Sequence, residues 1–260
     1  MFNPLDYQAA LVMPQRLVHS AWLEHVPFGM AIVEMTRPNL VVELGVHLGV
    51  SYCSFCQAID QLGIDARAYG VDTWEGDEHA GFMDPVVLND LKQHHDPLYG
   101  RFSSLIQSKF CDAVHRFGDG TIDLLHIDGF HSYDAVKEDF DTWRPKMSPR
   151  GVVLMHDIRA RLPGFGVWQL WDEIEAHYPT FAFDHQYGLG VIAVGSDIPA
   201  EMRVLLDATP IERGRIRRYF SQIGERLTSR LENLCLKHRI TEFKAREAAP
   251  PVEATGEAVA

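Results

Sequence analysis

The segment 41–51 constrains the fold of this chain more than any other part of the sequence. An apolar run leads into a tight turn that begins at Gly45 and ends at Gly49, and a helical pattern follows. A strand that enters a glycine turn and continues into a helix is typical of the nucleotide-binding corner of an open parallel sheet. Glycine lets the backbone approach a ligand that a Cβ would exclude. We therefore predict that Gly45 and Gly49 contact a cofactor.

Glu43 and the glycine spacing distinguish this turn from a dinucleotide site. A dinucleotide fold uses G-x-G-x-x-G to hold a pyrophosphate at the helix N-terminus, and here the close G-x-G pair is missing. An acidic residue beside the turn suits a ligand with a positive end, such as the ammonium and sulfonium groups of S-adenosylmethionine (SAM). We predict SAM as the cofactor, with Glu43 and Ser51 among its contacts. Taken alone, the segment is equally compatible with an ordinary strand-to-helix turn.

A second strand is predicted at 67–72, and it ends in the carboxylate of Asp72. In nucleotide-binding folds an acidic residue at this place accepts hydrogen bonds from the ribose hydroxyls. We assign that role to Asp72, while a solvated turn residue or a helix cap is the alternative. The polar, glycine-bearing segment 73–81 that follows does not resemble a helix, and we expect it to serve the site.

Charge and composition exclude several classes of protein. The chain has 260 residues, 46% of them hydrophobic, and a net charge of −12, which argues against general binding to nucleic acid because a phosphate backbone would be repelled. It contains no apolar run of membrane length and no N-terminal signal pattern, so we expect a globular, cytoplasmic protein. Four scattered cysteines do not form a disulfide framework, and we interpret Cys53 and Cys56 as core thiols.

Strand and helix patterns alternate along most of the chain. After the first two strands, further strands are predicted at 102–107, 122–128, 151–157, 181–183 and 191–194, with helices at 133–143 and 167–176. This alternation predicts an α/β fold with a doubly wound, mostly parallel sheet. We divide the chain into a domain at 1–197 with a helical N-terminal cover, a C-terminal helical extension at 198–246 and a disordered tail at 247–260.

The C-terminal extension carries an apolar stripe at helical spacing from Ile216 to Leu234. It lacks a clean heptad, which favours a helix packed on the domain or on a partner. These helices are also the candidate surface for a homo-oligomer. We interpret the arginines that crowd the start of the stripe as a solvated basic face, with docking onto an acidic partner as the alternative.

Asp128 and Asp157 are the candidate centre of the chemistry. Each ends an apolar strand, and the intervening helix has crossover length, so the two strands should be parallel neighbours. Two carboxylates this close favour a shared divalent ion, while two independent strand-end caps are the alternative. His131 follows Asp128 by three residues and could take a hydroxyl proton near neutral pH. His156 is a third candidate metal ligand, and its nitrogen would favour manganese, iron or zinc over magnesium.

The sequence resembles the class I SAM-dependent methyltransferases, and more narrowly the small-molecule and sugar O-methyltransferases related to the macrolide-sugar enzymes. The resemblance spans roughly residues 30–195 and is carried by Glu43–Gly49, Tyr69–Trp74, His126–Tyr133 and Met155–Asp157.

This resemblance implies a seven-stranded sheet, a metal (Mg or Mn) held by Asp128 and Asp157, and His131 as base. Family members often carry an acidic ligand where this chain has His156. Similar domains are encoded beside glycosyltransferases, which implies a sugar or glycan-type acceptor and a role in polysaccharide biosynthesis.

The resulting hypothesis is methyl transfer to an acceptor hydroxyl. SAM would lie on the glycine turn, with Gln107, Ser108 and the ring of Trp74 as candidates for the adenine pocket and Asp128 as a further cofactor contact. Asp128, Asp157 and His131 would be the catalytic residues. Two alternatives remain: a nicotinamide-dependent oxidoreductase on the same sheet, and a non-catalytic SAM-binding scaffold or regulatory partner.

Overall fold

The computed structural model describes residues 2–79 and 81–248. Its strands are β1 (Leu40–Leu44), β2 (Arg67–Asp72), β3 (Gly76–Asp77), β4 (Gly81–Phe82), β5 (Ser103–Gln107), β6 (Ile122–Ile127), β7 (Met147–His156), β8 (Thr180–Phe183) and β9 (Leu189–Ala193). Its α-helices are α1 (Val26–Thr36), α2 (Val50–Gln61), α3 (Val86–Tyr99), α4 (Phe110–Ala113), α5 (Tyr133–Trp143), α6 (Val167–Glu175), α7 (Ala200–Leu206) and α8 (Pro210–Ala248). Short 3₁₀ helices precede α1.

The main sheet has seven strands in the order β5-β2-β1-β6-β7-β9-β8. All neighbours are parallel except that β9 runs antiparallel to β7 and to β8. The predicted doubly wound, mostly parallel α/β sheet is confirmed. Every residue of β6 is buried, as expected for a central strand of a sheet that helices cover on both faces.

The strand order reverses at β1, and this places a crevice at the carboxyl ends of the central strands. From β1 the chain builds outward through β2 to β5, and it then returns to the other side of β1 as β6 and β7. Leu44, at the end of β1, pairs with Val71 of β2 and Ile127 of β6. Ligands of open α/β sheets bind in this kind of crevice.

Two elements between β2 and β5 do not follow from the sequence analysis. The pair β3 and β4 forms a two-stranded antiparallel ribbon within the segment predicted to serve the site. Helix α3 buries Leu88, Leu91, His95 and Tyr99, while most of its other residues are exposed. Because its apolar stripe is narrow, the hydrophobic periodicity of this segment is weak, and the sequence gives little indication of a helix there.

Helices α7 and α8 occupy the segment assigned to the C-terminal extension. The stripe of α8 packs against the 3₁₀ helix Leu23–His25 and α1, and Leu234 at its far end is exposed. The predicted tail lies outside the described residues apart from its first two positions. None of the described helices is long and apolar enough to cross a membrane.

The arginines at the start of α8 do not all form a solvated face. Arg213 donates hydrogen bonds to the carbonyl oxygens of Thr180, Leu206 and Ala208, and Arg217 donates to that of Ala182. Unpaired carbonyl groups at the edge strand β8 and at the end of α7 supply these acceptors. Two of the arginines therefore attach α8 to the sheet edge.

We expect Phe220→Ala to lower the free energy of unfolding by about 3–5 kcal/mol. Phe220 is buried in α8, with ring centroids 5.2 Å from Phe28 and 5.8 Å from Phe183, so truncation opens a cavity between the helix and the sheet. Phe243→Ala, on an exposed part of the same helix, should change stability by less than about 0.5 kcal/mol. Urea unfolding followed by circular dichroism measures both; equal effects would contradict the packing of α8.

Candidate active site

A cavity of about 470 Å³ lies at the carboxyl ends of β1, β2, β6 and β7. This volume is within the range of small-molecule and cofactor sites. Its walls mix aromatic rings with carboxylates and imidazoles, and they come from segments far apart in the chain. The lining residues fall at 20–22, 45, 47, 72–73, 76–77, 83, 109–110, 128–131 and 156–157.

The carboxylate of Asp72 organises the glycine turn. Its Oδ2 accepts hydrogen bonds from the backbone amides of Val46 and His47 at 2.9 and 2.8 Å, and its Oδ1 accepts one from Trp74 at 2.7 Å. Asp72 also lines the cavity, as predicted for a ribose contact. Each carboxylate oxygen has a further lone pair, so the carboxylate can hold the turn and still accept hydrogen bonds from a ligand.

Gly45 and Gly49 both have left-handed backbone conformations, with φ of 87° and 79°. A Cβ on Gly45 would overlap the backbone carbonyl oxygen of Asp128. Gly45 therefore allows the turn after β1 to contact the loop after β6 directly. Gly45 lines the cavity, whereas Gly49 begins helix α2 behind it.

Trp74 does not lie in the cavity wall, in contrast to its predicted place in an adenine pocket. Its ring is buried in the core, and its Nε1 donates a hydrogen bond to the carbonyl oxygen of His47. The predicted contacts Gln107 and Ser108 also lie outside the cavity wall. The side-chain amide of Gln107 donates a hydrogen bond to the backbone carbonyl of Thr73. Their place is taken by Lys109 and Phe110. A strand pattern does not show how the chain turns after the strand ends. Here the turn after β5 places residues 109 and 110 at the cavity, two positions later in the chain than predicted.

Glu43 and Ser51 lie behind the cavity rather than in its wall. Ser51 Oγ donates to Glu43 Oε1 at 2.5 Å, and Glu43 Oε2 lies 3.4 Å from Nδ1 of His126. Burial raises the pKa of Glu43, and His126 and Ser51 partly offset this rise. His126 in turn accepts a hydrogen bond from Nε1 of Trp22, which does line the cavity. Glu43 therefore lies in the layer behind the cavity wall and does not line the cavity.

Asp128 and Asp157 meet as predicted, because β6 and β7 are parallel neighbours. His131 Nε2 lies 2.9 Å from Asp157 Oδ2. His156 Nδ1 lies 3.3 Å from both Asp128 Oδ1 and Asp157 Oδ2. The structure thus brings the three predicted catalytic residues and His156 into one cluster.

Asp157 has φ of 62°, which is unusual for a residue other than glycine. In a continuing strand, His156 and Asp157 would point to opposite faces. The left-handed conformation turns the carboxylate of Asp157 back toward His156 Nδ1. Such backbone outliers cost free energy and cluster at functional sites.

The charges in this cluster support one another. Burial alone would lower the pKa of His131, but the hydrogen bond to Asp157 and the charges of Asp157, Asp128 and Asp77 raise it above its ordinary value. Burial likewise opposes protonation of His156, yet Asp128 and Asp157 raise its pKa well above the usual range. Burial would raise the pKa of Asp157, but His156 and His131 hold it well below its ordinary value.

The cluster also has the donor set of a divalent metal site. One ligand atom from each of Asp128, His131 and Asp157 can be chosen so that all lie within 4.8 Å of one another. Two carboxylates and an imidazole suit Mn²⁺, Fe²⁺ or Zn²⁺, and the carboxylates alone suit Mg²⁺. His131 thus joins the predicted ligands Asp128 and Asp157, while His156 lies against the same two carboxylate oxygens.

His131 is held in place by its backbone and by its ring. Its carbonyl accepts a hydrogen bond from Gly166 at 2.7 Å, and Ser132 caps helix α5 immediately after it. Its ring stacks on Phe165 with centroids 4.4 Å apart. With Nε2 directed at Asp157, Nδ1 has no hydrogen-bond partner among the described residues.

Several wall residues were not predicted from the sequence. The segment 20–22 comes from the N-terminal cover, and Asp77 and Met83 come from the ribbon region. Only the glycine-bearing character of 73–81 pointed to the ribbon. Nothing in the local pattern at 20–22 shows that the chain folds back over the cavity.

We expect Gly45→Ala to destabilise the protein more than Gly120→Ala, by about 1–3 kcal/mol in the free energy of unfolding. Both glycines have left-handed conformations, so both variants carry similar backbone strain. A Cβ at Gly120 would meet no atom within 4 Å, whereas one at Gly45 overlaps the loop of Asp128. Urea unfolding measures the difference, and equal values would refute the close contact between the two loops.

Comparison with known families gives one match within the chain. Residues 42–158 match the family described as "Methyltransferase domain". The match begins in β1, contains the glycine turn and Asp72, and ends just after Asp157. The matched segment therefore includes both the proposed cofactor contacts and the cluster of Asp128, His131, His156 and Asp157.

One curated relative and two solved structures add to this. The chain is 45% identical over 210 residues to the uncharacterized protein y4gI of Sinorhizobium fredii; the match covers 80% of this chain and 23% of that protein, so the chain spans about a quarter of the relative's length.

The O-methyltransferase TomG of Streptomyces achromogenes, involved in tomaymycin synthesis and solved with SAM, is 13% identical with a TM-score of 0.51, over 75% of this chain and 91% of TomG. The methyltransferase PaMTH1 of Podospora anserina, solved with S-adenosylhomocysteine, is 14% identical with a TM-score of 0.50, over 73% and 86% of the chains. These two likenesses show a shared fold. Residues 42–158 are thus similar to a methyltransferase domain, and the chain shares its seven-stranded fold with these two methyltransferases.

Proposed function

We propose that this protein is a SAM-dependent O-methyltransferase that acts on a hydroxyl of a sugar or glycan-type small molecule, with a histidine base and a divalent metal. The observation that supports this most directly is the Asp157–His131 pair, which faces the same cavity as Asp72 and the glycine turn. Transfer to a hydroxyl needs a group that removes its proton, and transfer from SAM needs a nucleotide site beside it. His131 and Asp72, which both line the cavity, are the candidates for these two roles.

The residues of the turn fit SAM. Gly45 presents backbone without a Cβ, and the carboxylate of Asp72 lies where the ribose hydroxyls of a nucleotide bind in this type of sheet. Phe110 offers an aromatic face for an adenine ring. When bound, SAM supplies an electrophilic methyl group on its sulfonium.

His131 is the proposed base. The Nε2–H group donates to Asp157, which selects the neutral tautomer with its lone pair on Nδ1. Nδ1 is buried in this structure, so the acceptor hydroxyl reaches it only after the ring or the surrounding wall moves. A carboxylate that orients an imidazole in this way also stabilises the imidazolium that forms. The raised pKa of His131 makes it a stronger base, but it also reduces the neutral fraction near pH 7.

Asp128 and Asp157 are the proposed metal ligands, with His156 as the third. A metal on Nε2 of His131 would replace the proton that this atom donates to Asp157, so His131 is kept as the base. A divalent cation held there lowers the pKa of a hydroxyl bound to it. Without a metal, a protonated His156 between the two carboxylates supplies the balancing positive charge. The two arrangements compete for the same carboxylate oxygens, so they can be separated by experiment.

The walls favour an uncharged, hydroxyl-rich acceptor. Trp22 and Phe130 offer apolar ring surface, and Asp77 and Lys109 offer groups that can bond to hydroxyls. The net charge of −12 disfavours a polyanionic acceptor. A nicotinamide cofactor is less suited to this turn, because the turn lacks the glycine spacing that holds a pyrophosphate.

A methyl-transfer screen tests the proposal. The full chain would be incubated with methyl-labelled SAM and with nucleotide sugars, free glycans or phenols, and label in the product would be counted. We expect transfer to a sugar hydroxyl. Transfer to phenols alone would overturn the acceptor class. SAM binding without turnover on any acceptor would favour the scaffold alternative.

Two substitutions should separate binding from chemistry. Asp72→Ala removes a carboxylate that holds the turn, and we expect SAM affinity, measured by calorimetry, to fall about tenfold or more. His131→Ala should lower kcat by about 10²- to 10⁴-fold while SAM affinity changes less than about twofold.

His94→Ala is the matched control, because this partly buried histidine of α3 does not line the cavity. Wild-type kcat in His131→Ala, with SAM bound normally, would rule out His131 as the base.

Metal dependence is the third test of the site. We expect Mn²⁺ to bind once per chain in calorimetry, Asp128→Asn to abolish this binding, and a chelator to suppress methyl transfer until a divalent ion is restored. Asp112→Asn, at an exposed aspartate of α4, is the control. Full activity in the chelator together with no Mn²⁺ binding would show that His156 alone balances the two carboxylates.

A further inference from the structure

We infer that His79 is a positioning residue for His131, and that it acts by packing its ring against those of His131 and Phe165; this inference rests on the proposed function. Four aromatic rings form a cluster beside the cavity. His131 lies 4.4 Å from Phe165 with an interplanar angle of 9°, Phe165 lies 4.8 Å from His79 at 30°, and His79 lies 4.4 Å from Phe130 at 8°. His79 therefore contacts both phenylalanines, and its ring centroid also lies 5.5 Å from that of His131.

These rings come from three separate parts of the chain. His79 belongs to the ribbon region after β2, and its backbone amide donates to Asp77 Oδ1 at 2.7 Å. Phe130 and His131 lie in the loop after β6, and Phe165 precedes helix α6. The ring cluster therefore connects the ribbon region to His131.

The orientation of the His131 ring decides where Nδ1 points. The contact with Asp157 fixes one ring atom, Nε2, but the ring can still pivot about that contact. Stacking on Phe165 fixes the plane. The rings of His131, Phe165 and His79 contact one another pairwise, with His79 also 5.5 Å from His131 at 38°, so the His79 ring restricts movement of both Phe165 and His131.

Loss of the His79 ring would leave a gap between Phe130 and Phe165. Rings next to a void lose dispersion contacts and move to recover them. Phe165 and His131 would then shift toward the gap, and the base would lose its fixed plane. Misplacement of a reacting group by about 1 Å can cost on the order of a hundredfold in rate.

This role depends on ring packing and not on the nitrogens of His79. A phenyl ring has nearly the same shape and stacks in the same way. His79→Phe should therefore preserve the position of His131, whereas His79→Ala and His79→Leu should not. His94→Ala is the control for loss of a histidine elsewhere.

Kinetics on the active acceptor give the first test. We expect His79→Ala and His79→Leu to lower kcat by about 10- to 100-fold with less than about twofold change in SAM affinity, and His79→Phe to restore kcat to within about threefold of the wild type. If His79→Phe is as impaired as His79→Ala, the imidazole itself is required and the packing role is wrong. Unchanged kcat in all three variants would also overturn it.

Crystal structures of the variants give a second test that needs no activity. In His79→Phe the His131 Nε2–Asp157 Oδ2 distance should stay near the 2.9 Å of the wild type. In His79→Leu or His79→Ala it should exceed about 3.2 Å, or the ring should occupy more than one orientation. An unmoved His131 refutes the inference even if methyl transfer is confirmed. A displaced His131 in a protein that transfers no methyl group supports positioning and refutes the proposed function.

Discussion

The candidate site depends on one electrostatic constraint: two carboxylates, at the ends of neighbouring parallel strands, need positive charge between them. Adjacent strands lie about 5 Å apart, so the sheet itself forces Asp128 and Asp157 together. His131 and His156 lie within 3.3 Å of these carboxylates, and their pKa values rise as a result. The same arrangement that stabilises the buried carboxylates therefore also orients the imidazole of the proposed base and gathers the side chains of the proposed metal site. The stability of this cluster and its proposed chemistry therefore both depend on the two neighbouring carboxylates.

The glycine turn and Asp72 form the proposed cofactor side of the cavity. Backbone contacts join them to the loop that carries Asp128. Asp72 accepts three amide hydrogen bonds and thereby sets the shape of the glycine turn. Gly45 in that turn lies against the carbonyl of Asp128, and the amide of Asp128 donates to Leu44 at 2.8 Å. The turn after β1 and the loop after β6 are thus one unit. A change in either loop should therefore alter both the proposed nucleotide side and the proposed proton-transfer side of the cavity.

Residues at strand ends could be predicted, and residues brought in from other segments could not. Asp72, Asp128 and Asp157 each follow an apolar run, so their place at the sheet edge follows from the strand pattern. Glu43 also lies in such a strand, but it is directed toward Ser51 and His126, and no local signal distinguishes the two sides of a strand that is buried on both faces.

By itself the sequence determined the alternation of strands and helices, the glycine turn and the carboxylates at the strand ends, because these features depend on local periodicity and backbone conformation. Tertiary structure decided which rings and charges meet in the cavity. Trp22 arrives from the N-terminal cover and His79 from the ribbon, and Asp157 faces His156 only because its backbone turns left-handed. Such contacts join residues far apart in the chain, or depend on a single strained φ, and neither leaves a repeating pattern in the order of the amino acids.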